Sequence, residues 1–181
     1  MITDFTVEAF MRNTLCRLTL AAGLCLIAST ATAASSIVVT LDPADVLAGV
    51  PPRIEVTGVT MGGSMVYGAA GAGGQSTGKV NLKEVVLVKH LGASSPSLFR
   101  HLVSGRRLNT VLIEFLQQSK GQSAPYFAIR LSDVIVSNYA LSGSVPASDT
   151  ETVSLNYSRI EIFHPASKQQ TSYDLRTGKA Q

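Results

Sequence analysis

Residues 126–139 read Tyr126-Phe127-Ala128-Ile129-Arg130-Leu131-Ser132-Asp133-Val134-Ile135-Val136-Ser137-Asn138-Tyr139. Two runs, Tyr126–Leu131 and Val134–Tyr139, are rich in the aromatic and β-branched residues that pack well on a pleated surface. Ser132-Asp133 lies between them. The pair marks either a gap between two strands or a bulge inside one long strand.

The same pattern extends outward in both directions. Upstream, Thr110–Gln117 sets Val111, Ile113 and Phe115 against Leu112, Glu114 and Leu116, the period-2 alternation of a strand. Downstream, Thr152–Phe163 puts Val153, Leu155 and Tyr157 on one face. It then changes phase to Ile160 and Ile162, which places a bulge near Ser158-Arg159. Ile37–Leu41 is a short β-branched strand. Arg53–Thr60 alternates Ile54 and Val56 with Glu55 and Thr57. Val80–Lys89 ends in Val85-Val86-Leu87-Val88, apolar on both faces, and Tyr173–Leu175 is a last short strand. About six to eight strands separated by turn residues specify a mainly β protein, a barrel or a sandwich.

One helix is expected, over about Pro96–Ser104. Ser95 is its N-cap and Pro96 its first residue. Leu98 and Leu102 are four apart, with Phe99 and Val103 beside them, and Gly105 is the stop. A short amphipathic helix can cover one end or face of a barrel. From Gly62 to Gly78 the chain holds seven glycines, with Ala69, Ala70 and Ala72 among them. Ordering such a run costs backbone entropy. It is therefore a flexible surface loop or one held by a partner.

The front of the chain reads as an address. Arg12 and Arg17 follow Met11, Leu18–Ile27 is almost wholly apolar, and Ala31-Thr32-Ala33 is a small-residue cleavage site. That order is a secretory signal peptide over residues 1–33 with its start at Met11. The run is shorter than the roughly 20 residues of a membrane span, and Leu24 before Cys25 argues against a lipid anchor. The expected product is exported, to the periplasm or beyond, with no stable membrane anchor. Cleavage leaves one domain, residues 34–181, of 148 residues (181 − 33). Both cysteines, Cys16 and Cys25, leave with the peptide, so no disulfide staples the remainder. The removed segment has two basic and two acidic residues, so the net charge stays at +3 (13 − 10). Basic residues are scattered, without the stripe that nucleic acid requires.

Chemistry-bearing motifs are few. Gly73-Gly74-Gln75-Ser76-Thr77-Gly78-Lys79 fits G-x-x-x-x-G-K, but Val80 stands where Ser or Thr should hold a metal ion, and it opens a strand rather than a helix. No nucleotide or other cofactor is expected. His90, His101 and His164 form no metal-ligand pair, and no G-x-S-x-G elbow occurs. Asp133 and Glu151 are assigned to turn hydrogen bonding and surface solvation. No enzyme is expected.

The order of short motifs from Arg53 onward resembles the haemolysin-coregulated protein (Hcp) family, the tube proteins of type VI secretion systems. The matching pieces begin with Ile54-Glu55-Val56, the Gly-rich loop into Gly78-Lys79-Val80, and Val88-Lys89. Ser94-Ser95-Pro96 with Leu98, and Ser104-Gly105, follow. Next come Pro125-Tyr126, Leu131, Asp133-Val134, Val136-Ser137 and Ser142-Gly143. Glu151, Val153-Ser154-Leu155-Asn156-Tyr157, Ile160, Tyr173-Asp174-Leu175 and Gly178-Lys179 complete the series.

The resemblance implies a two-sheet antiparallel β-barrel with one short flanking α-helix and a long Gly-rich loop. It implies homohexameric rings that stack into a tube and carry effector cargo alongside other type VI components. The loop from Met61 to Thr77 would contact the adjacent ring, through Met61, Met65, Tyr67, Gly71, Gly74 and Gln75. Tube-building members normally lack a signal peptide, so this front end suits an exported relative. Two other readings remain open. One is a monomeric periplasmic or secreted binding module for a peptide, glycan or envelope partner, with a groove lined by Tyr67, Tyr126 or Tyr139. The other is a hydrolase whose histidine meets a serine and an acid from distant segments.

Overall fold

Alternating apolar residues and the turns between them place the strands. The computed structural model describes residues 35–66, 78, 80–119, 121–143 and 149–181. In chain order these hold β1 (Ser35–Leu41), β2 (Arg53–Val56), β3 (Gly58–Thr60), β4 (Gly63–Met65), β5 (Val80–Leu82) and β6 (Val85–His90). Then come α1 (Ser95–Ser104), β7 (Leu108–Ser119), β8 (Gln122–Ser142), β9 (Thr150–Asn156), β10 (Arg159–His164), β11 (Gln169–Asp174) and β12 (Lys179–Ala180). The expected signal segment, residues 1–33, lies outside the described residues.

The stretch at 126–139 is one strand, and its polar pair is the bend. Asp133 adopts φ +57, a left-handed conformation that Asp tolerates better than most residues because its short carboxylate bonds locally. That carboxylate accepts a 2.9 Å hydrogen bond from Ser158 Oγ and lies 2.9 Å from Arg107 Nη1. Before the bend, β8 pairs with β10 (Ser132 opposite Arg159); after it, β8 pairs with β9 (Ile135 opposite Asn156). The phase change expected near Ser158-Arg159 is the matching break on the facing chain, at Tyr157-Ser158.

All strand pairings are antiparallel. The first sheet runs β12-β11-β10-β8-β7-β1-β2, and the second runs β8-β9-β6-β3. Arg53–Thr60, expected as one strand, is two. β2 pairs with β1, the chain turns a corner at Thr57, whose N–H donates to Val88 O (2.8 Å), and β3 then pairs with β6. The two sheets therefore share β8 on one side and the β2–β3 chain on the other. They wrap a common core, with the circuit completed by chain continuity rather than by a ladder. Val80–Lys89 also divides, because β5 leaves the barrel to pair with β4 as a separate two-stranded ribbon.

The core is filled from both sheets by Val39, Leu41, Val85, Val111, Ile113, Leu131, Val136, Val153 and Leu155 among others. Each such side chain contributes about 1.5–3 kcal/mol on burial. Helix α1 begins one residue earlier than the capping pattern implies, with Ser94 at the N-cap and Pro96 in the first turn; Gly105 (φ 62) closes it. Its inward stripe is Leu98, His101 and Leu102. Phe99 and Val103 face out, 49% and 66% exposed.

Candidate assembly surface

Met61 and Met65 are two of the residues expected at a subunit interface; Met65 lies on the ribbon and Met61 two residues before it. They are 39% and 41% exposed. Tyr67, Gly71, Gly74 and Gln75 lie outside the described residues. Along an extended chain Met61, Gly63 and Met65 share a face. Across the ribbon Leu82 stands opposite Gly63 and Val80 opposite Met65. A Cβ at Gly63 would come within 2.8 Å of a Leu82 methyl, so a larger residue there would make the Leu82 side chain shift. The pairing gives a strip of apolar side chains on one face, with Ser64 and Asn81 on the other.

Beneath the strip runs a groove of about 380 Å³ whose far wall is Ile160, Ile162, Thr171, Ser172 and Tyr173. The sequence reading named the methionines but not this wall. It belongs to β10 and β11, distant in the chain, and only the barrel brings it under the ribbon. A second groove, of about 270 Å³, lies on the outer face of the first sheet and carries Glu114, Arg130, Glu161 and Phe163. Arg130 and Glu161 pair there at 3.0 Å. Tyr126 and Tyr139 do not combine as an aromatic groove: they sit on opposite halves of bent β8, in different sheets.

Glu151 corrects the sequence reading outright. It is fully buried rather than solvated. Its Oε1 lies 2.6 Å from Lys89 Nζ, itself 4% exposed. The Tyr139 hydroxyl donates to Oε2 at 2.6 Å. Lys89 also donates to His90 O (2.7 Å) and Ser95 Oγ (3.3 Å), so the cluster ties β6, β8 and β9 to the start of α1. Phe99 packs edge-to-face on Tyr139, with ring centroids 5.6 Å apart. The Val153/Leu155 alternation does place Glu151 on the inward face, a signal that its charge masked.

Burial, and then the hydrogen bond to the Glu151 carboxylate, push the Tyr139 phenol up to about 12. Its ordinary value is 10.0, so the folded protein favours the neutral phenol. The stabilisation is complete below pH 10 and is lost as pH rises towards about 12. Tyr139→Phe should therefore flatten the alkaline fall in thermal stability across that window. Melts of both proteins through the window check this, and an unchanged alkaline slope in the variant contradicts it.

The histidines are scattered. His90 is exposed, with Nδ1 3.3 Å from Asp149 O. His101 is buried between the carbonyls of Asp45 and Arg106. His164 faces Ser167 Oγ at 3.0 Å. Among the described residues no carboxylate hydrogen-bonds to any of the three, so the separated-segment hydrolase has no triad there. Asp133 likewise departs from the turn role assigned to it: within β8 its carboxylate joins Ser158 and Arg107 from distant segments.

The fold matches solved type VI secretion proteins. A structure described as a type six secretion system protein superposes with a TM-score of 0.69 at 22% identity, covering 82% of this chain and all of that one. Hcp1 from Salmonella typhimurium gives 0.65 at 21% identity over 82% of this chain and 99% of its own. The secreted protein Hcp3 from Pseudomonas aeruginosa gives 0.54 at 21% identity over 78% and 97%. At these identities the likeness concerns the fold. No curated protein matches the sequence. The family model for the type VI secretion system effector Hcp matches residues 48–164, from the turn before β2 to the end of β10. Covering well over half the sequence, from β2 through β10, that match shows that the chain belongs to the Hcp family of type VI secretion.

Proposed function

We propose that this protein is an exported structural member of the family. Its subunits join head to tail into a homohexameric ring, as a tube component or effector carrier. The observation that carries the reading is the ribbon. Two three-residue strands do not hold together in water unaided, yet their apolar face and the groove beneath it stand open. A second copy that covers both faces explains why that surface is apolar. Head-to-tail contacts use two different patches and close into a ring when the rotation fits. Stacking of rings uses a second contact, along the axis. Export follows from the residues 1–33 signal, which puts the assembly in the periplasm or outside the cell, where effector cargo and other type VI components are its partners.

Light scattering coupled to size exclusion tests this. The wild type should run as a hexamer. Met61→Asp with Met65→Asp should remain folded, because both positions are exposed, and should associate about a hundredfold more weakly or worse. A wild type that stays monomeric at high concentration overturns the reading and favours a binding module using the Arg130/Glu161/Phe163 groove.

A further inference from the structure

The same strip has a chemical property that assembly does not require. The sequence contains four methionines and two cysteines. Met1, Met11, Cys16 and Cys25 fall in the segment read as a signal peptide. Met61 and Met65 are therefore the only sulfur atoms in the body of the protein, which also lacks tryptophan. Both are about 40% exposed, at 39% and 41%. They flank Gly63: Met65 is on β4 opposite Val80, and Met61, two residues before the strand, lines the groove with Val80 and Leu82.

We propose that Met61 and Met65 are an oxidation site that controls self-association, with peroxide as the oxidant. The inference rests on the assembly reading above. A thioether lone pair attacks one peroxide oxygen, and the S–O bond forms as the O–O bond breaks. Sulfur loses two electrons, the peroxide gains them, and the second oxygen leaves as water. A flexible apolar side chain becomes a polar one with a strong acceptor. On the free subunit the sulfoxide stays in water at little cost. In an interface it would be pressed against the largely apolar groove of Val80, Leu82, Ile160 and Ile162, where the side-chain donors are the hydroxyls of Thr171, Ser172 and Tyr173. A buried polar group without a partner opposes association. Each contact should weaken roughly tenfold or more. A body without cysteine has no competing thiol to consume the oxidant first.

The experiment treats purified protein with dilute hydrogen peroxide and follows assembly by light scattering, fold by circular dichroism, and oxygen uptake at each methionine by peptide mass spectrometry. Expected are sulfoxides at both positions, dissociation with an unchanged fold, and reassembly after methionine sulfoxide reductase. Met61→Leu with Met65→Leu should assemble and resist peroxide. Met61→Gln with Met65→Gln, which imitates the sulfoxide's polarity, should fail to assemble without peroxide. Full oxidation with assembly intact overturns the inference while leaving the assembly reading in place, as does equal dissociation of the leucine variant. An untreated wild type that never assembles overturns the assembly reading itself, and the inference with it.

Discussion

Glu151→Ala should destabilise the protein by about 3–5 kcal/mol, a drop in Tm on the order of 10 °C. The reason is what the substitution leaves behind. Lys89, 4% exposed, would be left buried with its ion partner gone. Its remaining acceptors are the neutral His90 carbonyl and Ser95 hydroxyl. Tyr139 would lose the acceptor for its hydroxyl. Lys89→Met fails in the opposite sense by stranding the carboxylate.

The intact pair is a different matter. Desolvating both ions offsets much of their attraction, so Lys89→Met combined with Glu151→Leu should cost far less than either single change. Chemical denaturation of the three variants decides between these expectations. A loss under about 1 kcal/mol in Glu151→Ala would show that the pair does not carry the charge balance assigned to it. Because the cluster joins three strands to α1, the single variants should also loosen the helix first, visible as faster amide exchange over 95–104.

Leu131→Ala should cost about 3–5 kcal/mol by removing a buried side chain and leaving a cavity. Leu131 is fully buried, one residue before the bend region of β8, and lies between Val111 on β7 and Ile160 on β10. Three strands meet at this point and the neighbouring backbone is held by two ladders, so the site cannot collapse to fill the space. Leu141, on the same strand but 59% exposed, is the control. Its replacement by alanine should change stability by no more than about 0.5 kcal/mol. Equal effects at the two positions would mean that the core does not lie where the two sheets face each other.

Much of the barrel is legible in the amino-acid sequence. The alternation of Val111 and Ile113 against Leu112 and Glu114 marks a strand with one buried face, and Val111 and Ile113 are indeed buried completely. Ser132-Asp133 and Ser158-Arg159 break the period where the chain bends. Pro96 and Gly105 bracket the helix to within a residue. These are local facts: side-chain direction alternates with period 2 in any strand, and turn or cap chemistry acts over a few residues.

Other features needed the closed structure. Thr57 looks like one more strand residue until β3 finds β6 as its partner. Glu151 looks like a solvated charge until Lys89 and Tyr139 arrive from other strands. Met61 is half of a groove whose other half, Ile160, Ile162 and Tyr173, lies about a hundred residues further along the chain. The order of apolar and polar residues sets which face of a strand is buried. Which strand lies beside it, and which charge meets it there, is set by pairings between distant segments, whose free energy appears only when the whole barrel closes.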